Sequence, residues 1–149
     1  MSEALHHVSP ASRQGVVLLA SGARTETGTG NAVEGLGEFK TLFCELDVTA
    51  AATISGDTLD VFVQTSVDGT NWVDVMHFTQ ILGNGGAKRY FAKIIHDAAL
   101  TEFENGAALG AAAARAIIGG KYRVRWDVAD TGTAGDASFT FSVTANVIA

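Results

Sequence analysis

Apolar and polar side chains alternate along residues 41–48 with a period of two. Such a period is typical of a strand that buries one face and exposes the other. The face predicted to be buried carries Leu42, Cys44, Leu46 and Val48. Phe43 is the apolar exception on the opposite face, and we expect it to contact a second layer or a partner.

The same alternation returns twice within residues 58–78, on either side of a short turn. In the first run one face carries Leu59, Val61 and Val63, and the other carries Asp60, Phe62 and Gln64. In the second run Val73, Val75 and His77 lie opposite Trp72, Asp74, Met76 and Phe78. Asp68 and Gly69 fall between the runs. An Asp-Gly pair predicts a β-hairpin, because Gly accepts positive φ and Asp tolerates it.

Two more alternating runs end the chain. The first carries Tyr122, Val124, Trp126 and Val128 on one face, opposite Arg123, Arg125 and Asp127. The second follows the turn DTGTAGD and carries Phe139, Phe141, Val143 and Ala145 on its apolar face. Because a Gly-rich turn separates them, we predict that these two runs form an antiparallel hairpin.

The remaining segments are less regular. Residues 16–21 and 87–95 are predicted strands, and the Gly- and Thr-rich residues 22–37 are predicted to be turn and loop. Residues 96–120 are rich in Ala and Gly, and we expect a loop with one short helix within residues 107–118. Residues 1–14 have no period and are predicted to be a flexible N-terminal arm, which leaves residues 15–149 as one domain.

Seven to eight short strands with Gly-rich turns, and no βαβ pattern, predict an all-β fold. We expect an antiparallel β-sandwich of jelly-roll or immunoglobulin-like type. The N-terminal arm and one Ala/Gly-rich loop or short helix are expected to lie outside its sheets.

Composition narrows the classes of function. The 149 residues carry a formal net charge of −6, which argues against nucleic acid as a partner because phosphate binding needs a basic surface. No apolar run approaches the ~20 residues that cross a bilayer, and the polar start MSEALHHVSPASRQG shows no secretory signal. We therefore expect a protein that is made in the cytoplasm and stays soluble or joins an assembly.

The segment SVDGTNW, residues 66–72, is close to the Asp-box turn of sialidases, Ser-x-Asp-x-Gly-x-x-Trp. It lacks the residue between Asp and Gly, and the chain holds one copy. In that motif the Asp braces the turn by accepting backbone N–H bonds. We therefore predict a folding role for this segment and no sugar site.

No set of residues points to a metal, a cofactor or catalysis. The histidines lack Cys or carboxylate neighbours at metal-ligand spacing: His6, His7, His77 and His96. Four aspartates do not follow a calcium-loop pattern: Asp57, Asp60, Asp68 and Asp74. Cys44 is expected to be a buried, inert thiol, and no Ser lies in a G-x-S-x-G turn. The sequence therefore predicts a protein that is not an enzyme.

Several motifs recur in a fixed order along residues 38–145. A strand ends in Gln-Thr-Ser, then come an Asp-Gly turn, a Trp, a short Asp-containing strand, Phe-Thr-Gln, and later a Gly-x-x-Arg-Val-x-Trp strand. They lie in LFCELDVTAAATISGDTLDVFVQTSVDGTNWVDVMHFTQILGNG, ALGAAAARAIIGGKYRVRWDVADTG and ASFTFSVTA. This series resembles a group of small proteins encoded among the head genes of tailed bacteriophages.

The resemblance implies a non-enzymatic virion structural protein, such as a capsid decoration (cement) protein that binds and stabilises the major capsid shell. The expected partners are the major capsid protein or other virion proteins. We also expect a homo-oligomer, with a trimer favoured because capsid lattices offer three-fold positions. The predicted contacts are the N-terminal arm and the Ala/Gly-rich loop.

Two other functions stay open from the sequence. A tail- or fibre-associated module would bind host carbohydrate or protein, and an exposed Trp72 or Tyr90 would favour it because sugars stack on aromatic rings. A small hydrolase is the third candidate, and it would require measurable turnover of an ester, glycoside or peptide.

Overall fold

A computed structural model describes residues 12–36, 39–96, 102–104, 107–116, 118–132 and 136–149. These residues form ten strands and no helix. Seven strands have five residues or more: β1 (Arg13–Arg24), β3 (Thr41–Ala50), β4 (Thr58–Ser66), β5 (Val73–His77), β7 (Lys88–Ile95), β9 (Lys121–Ala129) and β10 (Phe139–Ile148). Three have two residues each: β2 (Gly28–Thr29), β6 (Ile81–Leu82) and β8 (Ala113–Ala114).

The strands form two antiparallel sheets. The four-stranded sheet has the order β1-β10-β3-β7, and the six-stranded sheet has the order β2-β9-β4-β5-β8, with β6 beside β4. The predicted all-β sandwich is therefore confirmed. The number of longer strands, seven, agrees with the predicted seven to eight strands.

The core lies between the sheets and is built from the alternating positions. The inward residues of the four-stranded sheet include Leu42, Cys44, Leu46, Val48, Phe139, Phe141 and Val143. Those of the six-stranded sheet include Leu59, Val61, Val63, Tyr122, Val124 and Trp126. All are at most 8% exposed, which confirms the predicted faces of β3, β4, β9 and β10.

The predicted hairpin between the last two strands is wrong. β9 pairs with β4 and β2 in the six-stranded sheet, whereas β10 pairs with β1 and β3 in the four-stranded sheet. Their apolar faces meet across the core, where the rings of Trp126 and Phe141 form an edge contact at 5.9 Å. Alternation predicts which side of a strand is buried, but it is the same for strands in one sheet and for strands in facing sheets.

A β-bulge changes the predicted faces of β5. Met76 pairs with Val63 and Asp74 pairs with Gln64, so Val75 is the extra residue between them. Val75 and Met76 are both buried, and His77 lies beside Phe62 on the outer face. The expectation that His77 shares a face with Val75 is therefore wrong, because a bulge shifts the alternation by one residue.

The Ala/Gly-rich segment is not helical where it is described. Residues 107–116 form a loop that contains β8, and β8 pairs with β5. Ala112 has a φ of 59°, which a right-handed helix does not allow. Pairing with the sheet thus overrides the helix propensity of Ala. The rest of the predicted helix lies outside the described residues.

The N-terminal arm predicted for residues 1–14 falls mostly outside the described residues. Arg13 and Gln14 already belong to β1, which is longer at both ends than the strand predicted for residues 16–21. Because β1 is an edge strand of the four-stranded sheet, the chain enters the sandwich at that edge.

Candidate functional site

The turn between β4 and β5 is braced by Asp68. Its Oδ1 accepts hydrogen bonds from the backbone N–H groups of Asn71 and Thr70, each at 2.8 Å, and Oδ2 accepts one from Asn71 Nδ2 at 2.8 Å. These donors hold the pKa of Asp68 well below its usual range. Gly69 supplies the positive φ, at 78°. The contacts agree with the predicted folding role of SVDGTNW.

Neither aromatic residue proposed for sugar binding is exposed. Trp72 is half-buried, and the guanidinium of Arg123 lies 4.5 Å from its ring centroid. Tyr90 is half-buried and packs against the core. A sugar ring needs a free aromatic face, and one face of Trp72 is already covered by a cation.

Polar and aromatic side chains form a continuous network on the outer face of the six-stranded sheet, which we call the charged face. It consists of Asp60, Phe62, Gln64, Asp74, His77, Arg123 and Arg125. Within it Arg123 Nε donates to Gln64 Oε1 at 2.7 Å, and Gln64 Nε2 donates to Asp74 Oδ1 at 2.9 Å. Arg125 forms an ion pair with Asp74 at 3.2 Å.

Phe62 lies at the centre of the charged face. The ring of His77 stacks on it with a centroid distance of 3.9 Å, and the guanidinium of Arg125 lies 3.8 Å from its centroid. Phe62 is only 6% exposed although it points away from the core. The outward apolar residue of β4 is thus covered by its own neighbours.

His77 connects the charged face to the Ala/Gly-rich segment. Its Nε2 lies 2.8 Å from Asp60 Oδ1, and its Nδ1 lies 2.8 Å from the backbone oxygen of Leu109. Both ring nitrogens therefore face acceptors, and within the described residues neither hydrogen-bonds with a hydroxyl or a thiol. A general base needs a nitrogen free to take a proton from a nucleophile or water, so this His fixes a loop instead.

Arg115 lies within the same segment, where it links Ala107, Ala108 and Phe103 to one another and to β5. It donates to the backbone oxygens of Asp74 at 3.1 Å, Ala107 at 2.9 Å and Ala108 at 3.1 Å, and it lies 4.3 Å from the ring centroid of Phe103. The described part of the Ala/Gly-rich segment is thus anchored on its own domain. The predicted contact of this loop with a partner stays a prediction.

Cys44 lies in the core between the sheets and has no exposed surface. Burial raises the pKa of its thiol to about 12, so the thiol stays protonated at neutral pH. The predicted burial of the thiol is confirmed.

The outer face of the four-stranded sheet carries five large apolar side chains, of which four are exposed and Phe43 is half-buried. We call this group the aromatic face, and it consists of Val17, Phe43, Phe91, Ile95 and Ile148. The rings of Phe43 and Phe91 stack at 5.8 Å with an interplanar angle of 11°. Phe91 is 58% exposed, Val17 55%, Ile95 51% and Ile148 45%.

The strand that carries Phe91 and Ile95 is also an edge strand. β7 pairs with β3 on one side, and its other side pairs with no strand in the part of the chain that the structure describes. Lys88, Arg89 and Lys93 lie along it and are exposed. Charges on an edge strand oppose uncontrolled pairing with other chains, and Phe91 stays accessible beside them.

The four aspartates considered from the sequence do not form one site. Asp60 binds His77 and Gln80, Asp68 braces its turn, and Asp74 pairs with Arg125. Asp57 instead lies beside two aspartates of the DTGTAGD turn, Asp130 and Asp136. From the sequence we did not expect Asp130 and Asp136 to lie beside Asp57. Two Asp residues that flank a Gly-rich turn are the signal that could have drawn attention to it.

Comparisons with known proteins identify no family for the chain. No protein-family model matches it, and no curated protein is similar to it in sequence. Among the described residues, the structure has no helix with the length and apolar character that a membrane span requires. The fold and the surfaces therefore define a class only, namely a two-sheet antiparallel β-sandwich with one exposed aromatic face.

Proposed function

We propose that this chain is a non-enzymatic structural protein of a tailed-phage virion, a capsid decoration protein that binds and stabilises the major capsid shell. The phage identity rests on the sequence resemblance over residues 38–145. The mode of action is supported by the aromatic face, which offers contact area and no reactive groups. Binding to the assembled shell but not to its free subunits stabilises the shell by mass action.

The observation that carries the proposal is the exposed ring of Phe91, which stacks on the half-buried ring of Phe43. Rigid aromatic side chains dominate the binding energy of many protein interfaces. Phe91 is 58% exposed, and a Phe side chain presents roughly 200 Å². About 110 Å² of its apolar surface is therefore available for contact with another protein. At ~25 cal/mol per Å², covering it contributes at most about 3 kcal/mol.

The face has polar neighbours that fit a specific interface. Phe43 pairs with Lys93 across β3 and β7, and Glu45 pairs with Phe91. Glu45 and Lys93 therefore lie among the apolar residues of the aromatic face, where charged groups make a contact selective for a complementary partner. The predicted N-terminal arm is attached through β1, on the same sheet, so it can extend the same contact surface.

The first test is the composition of the particle. Virions purified from a host culture that carries this gene are analysed by quantitative mass spectrometry. We expect this chain in a fixed ratio to the major capsid protein. Purified virions that lack it would end the proposal.

The second test separates contact from folding. Phe91→Ser is expected to weaken binding to shells that lack this chain by up to about a hundredfold, the equivalent of ~3 kcal/mol. Val67→Ser is the matched control, because Val67 is 88% exposed in the β4–β5 turn and lies off the aromatic face. Both variants should unfold at the wild-type temperature. Equal shell binding by both would refute the assignment of the aromatic face.

The oligomeric state is part of the proposal. A trimer places three copies of the aromatic face around a three-fold position of the shell. Light scattering coupled to size-exclusion chromatography measures the mass directly, and we expect three times the 15.5 kDa of one chain. A monomer at all concentrations would reject the trimer. The proposal of shell binding would then be decided by the composition of the particle.

A further inference from the structure

Three carboxylates meet at one end of the sandwich. Asp57 directly precedes β4, Asp130 directly follows β9, and Asp136 lies three residues before β10. One carboxylate oxygen from each lies within 4.8 Å of the other two. The pairing of Thr58 with Ala129 brings the first two residues together, because it sets the ends of β4 and β9 side by side.

A second observation at this place is a buried carboxylate oxygen without a partner. Asp57 is 0% exposed. Its Oδ1 accepts hydrogen bonds from the backbone N–H of Thr131 at 2.9 Å and from the Thr131 hydroxyl at 3.2 Å. Its Oδ2 is buried and has no hydrogen-bond partner. A buried oxygen in this state destabilises the fold unless a donor or a cation satisfies it.

The surroundings of Asp57 make the need for positive charge greater. Two further carboxyl groups lie beside the buried Asp57, and ionised carboxylates at this separation repel each other. Asp130 is also oriented, since its Oδ1 accepts a hydrogen bond from Gly132 N at 3.1 Å. The three side chains thus bring one carboxylate oxygen each to the same place, with Asp57 and Asp130 held by backbone hydrogen bonds.

We propose that Asp57, Asp130 and Asp136 bind a calcium ion. The donor set contains only oxygen, which suits Ca²⁺ or Mg²⁺, and no nitrogen or sulfur ligand that would favour zinc. Ca²⁺ takes six to eight oxygen ligands in irregular geometry, whereas Mg²⁺ requires a near-ideal octahedron. Asp57 is buried and Asp136 is exposed, so water completes the coordination from the open side.

The ion would join two connections between the sheets. The segment from β3 to β4 and the segment from β9 to β10 both cross from one sheet to the other, and Asp57 and the Asp130–Asp136 turn belong to these two crossings. Calcium would therefore clamp this end of the sandwich and raise the stability of the folded chain by linkage. The proposal departs from the sequence-based expectation of no metal, because that expectation could not place Asp57 beside the distant turn.

The test is thermal unfolding of the purified full chain in EDTA, in CaCl₂ and in MgCl₂, together with isothermal titration calorimetry. At a hundredfold excess of Ca²⁺ over its dissociation constant, the unfolding temperature should rise by about 5–10 °C. About 10 mM Ca²⁺ supplies this excess for a dissociation constant of ~0.1 mM, the tighter end of the range for extracellular-type sites. Mg²⁺ should give a smaller rise.

Two variants locate the ion. Asp136→Asn changes an exposed side chain, so the variant should fold and lose most of the Ca²⁺-induced rise, measured against the unfolding temperature of the same variant in EDTA. The control Asp47→Asn removes an acidic residue of the four-stranded sheet that pairs with Arg89, and it should keep the full rise.

Three results would overturn the proposal. The first is a wild-type chain with no Ca²⁺-induced rise and no heat of binding at about 10 mM Ca²⁺. The second is an Asp136→Asn variant that keeps the full rise. The third is a response to Mg²⁺ as large as the response to Ca²⁺, which would reject calcium as the ion. None of these results depends on whether the chain is a virion protein.

Discussion

Arg115→Ala tests whether the Ala/Gly-rich segment is held by its own domain. The substitution removes three hydrogen bonds, to the backbone oxygens of Asp74, Ala107 and Ala108, and the contact with the ring of Phe103. A hydrogen bond from a charged donor contributes about 1.5–3 kcal/mol when buried and less when half-exposed. For three bonds on a half-buried side chain, we expect a total loss of about 2–3 kcal/mol.

The loss should appear in both stability and local opening. A change of ~1 kcal/mol shifts the unfolding temperature of a chain of this size by about 2–4 °C, so Arg115→Ala should lower it by about 5–10 °C. Hydrogen exchange should accelerate at the backbone N–H of residue 115, which donates to Val75 O at 2.8 Å in the native chain.

Arg89→Ala is the matched control for this experiment. Arg89 is the same residue type, its side chain is 63% exposed, and its contacts with Glu45 and Asp47 are both 3.4 Å long. Exposed pairs of this kind contribute about 0–1 kcal/mol. If Arg115→Ala changes the unfolding temperature and the exchange rate no more than Arg89→Ala does, the segment is not anchored as described.

Three further substitutions test the turn, the core and one close approach. Asp68→Asn should lower stability at neutral pH, and its difference from the wild type should shrink in urea titrations as the pH falls below the unfolded pKa of ~3.9, because the folded pKa is depressed; a constant difference would contradict this. Phe141→Ala should cost about 3–5 kcal/mol, since the side chain has no exposed surface; a loss under ~1 kcal/mol would contradict the packing. Gly83→Ala should unfold the chain at a much lower temperature than Gly110→Ala, because a Cβ at residue 83 meets the backbone oxygen of Ile54, whereas one at residue 110 meets nothing within 4 Å; equal unfolding temperatures would count against it.

The buried faces of the strands could be predicted from the sequence because a half-buried strand repeats every two residues. Leu42 to Val48 in β3 and Tyr122 to Trp126 in β9 are buried at the positions that alternation predicts. The pairing partners could not be predicted, since the same alternation serves β9 and β10 whether they share a sheet or face each other. The bulge at Val75 could not be predicted either, because its position depends on the register with β4.

The candidate surfaces show the same division between local and long-range information. The brace at Asp68 follows from residues within three positions of it, and the sequence predicts it correctly. Phe43 was predicted to contact a second layer or a partner. It lies on the outer face of the four-stranded sheet, so its contact with a partner stays a prediction. The contact of Asp57 with the turn after β9 spans more than seventy residues, so no local pattern could reveal it.

The most direct test of the proposed shell binding through the aromatic face is a cryo-EM map of the phage particle, at a resolution that shows β-strands. We expect density for this two-sheet sandwich on the outer surface of the shell, with Phe43 and Phe91 turned toward the major capsid protein. A shell without this density, or a bound sandwich whose aromatic face points into solvent, would contradict it.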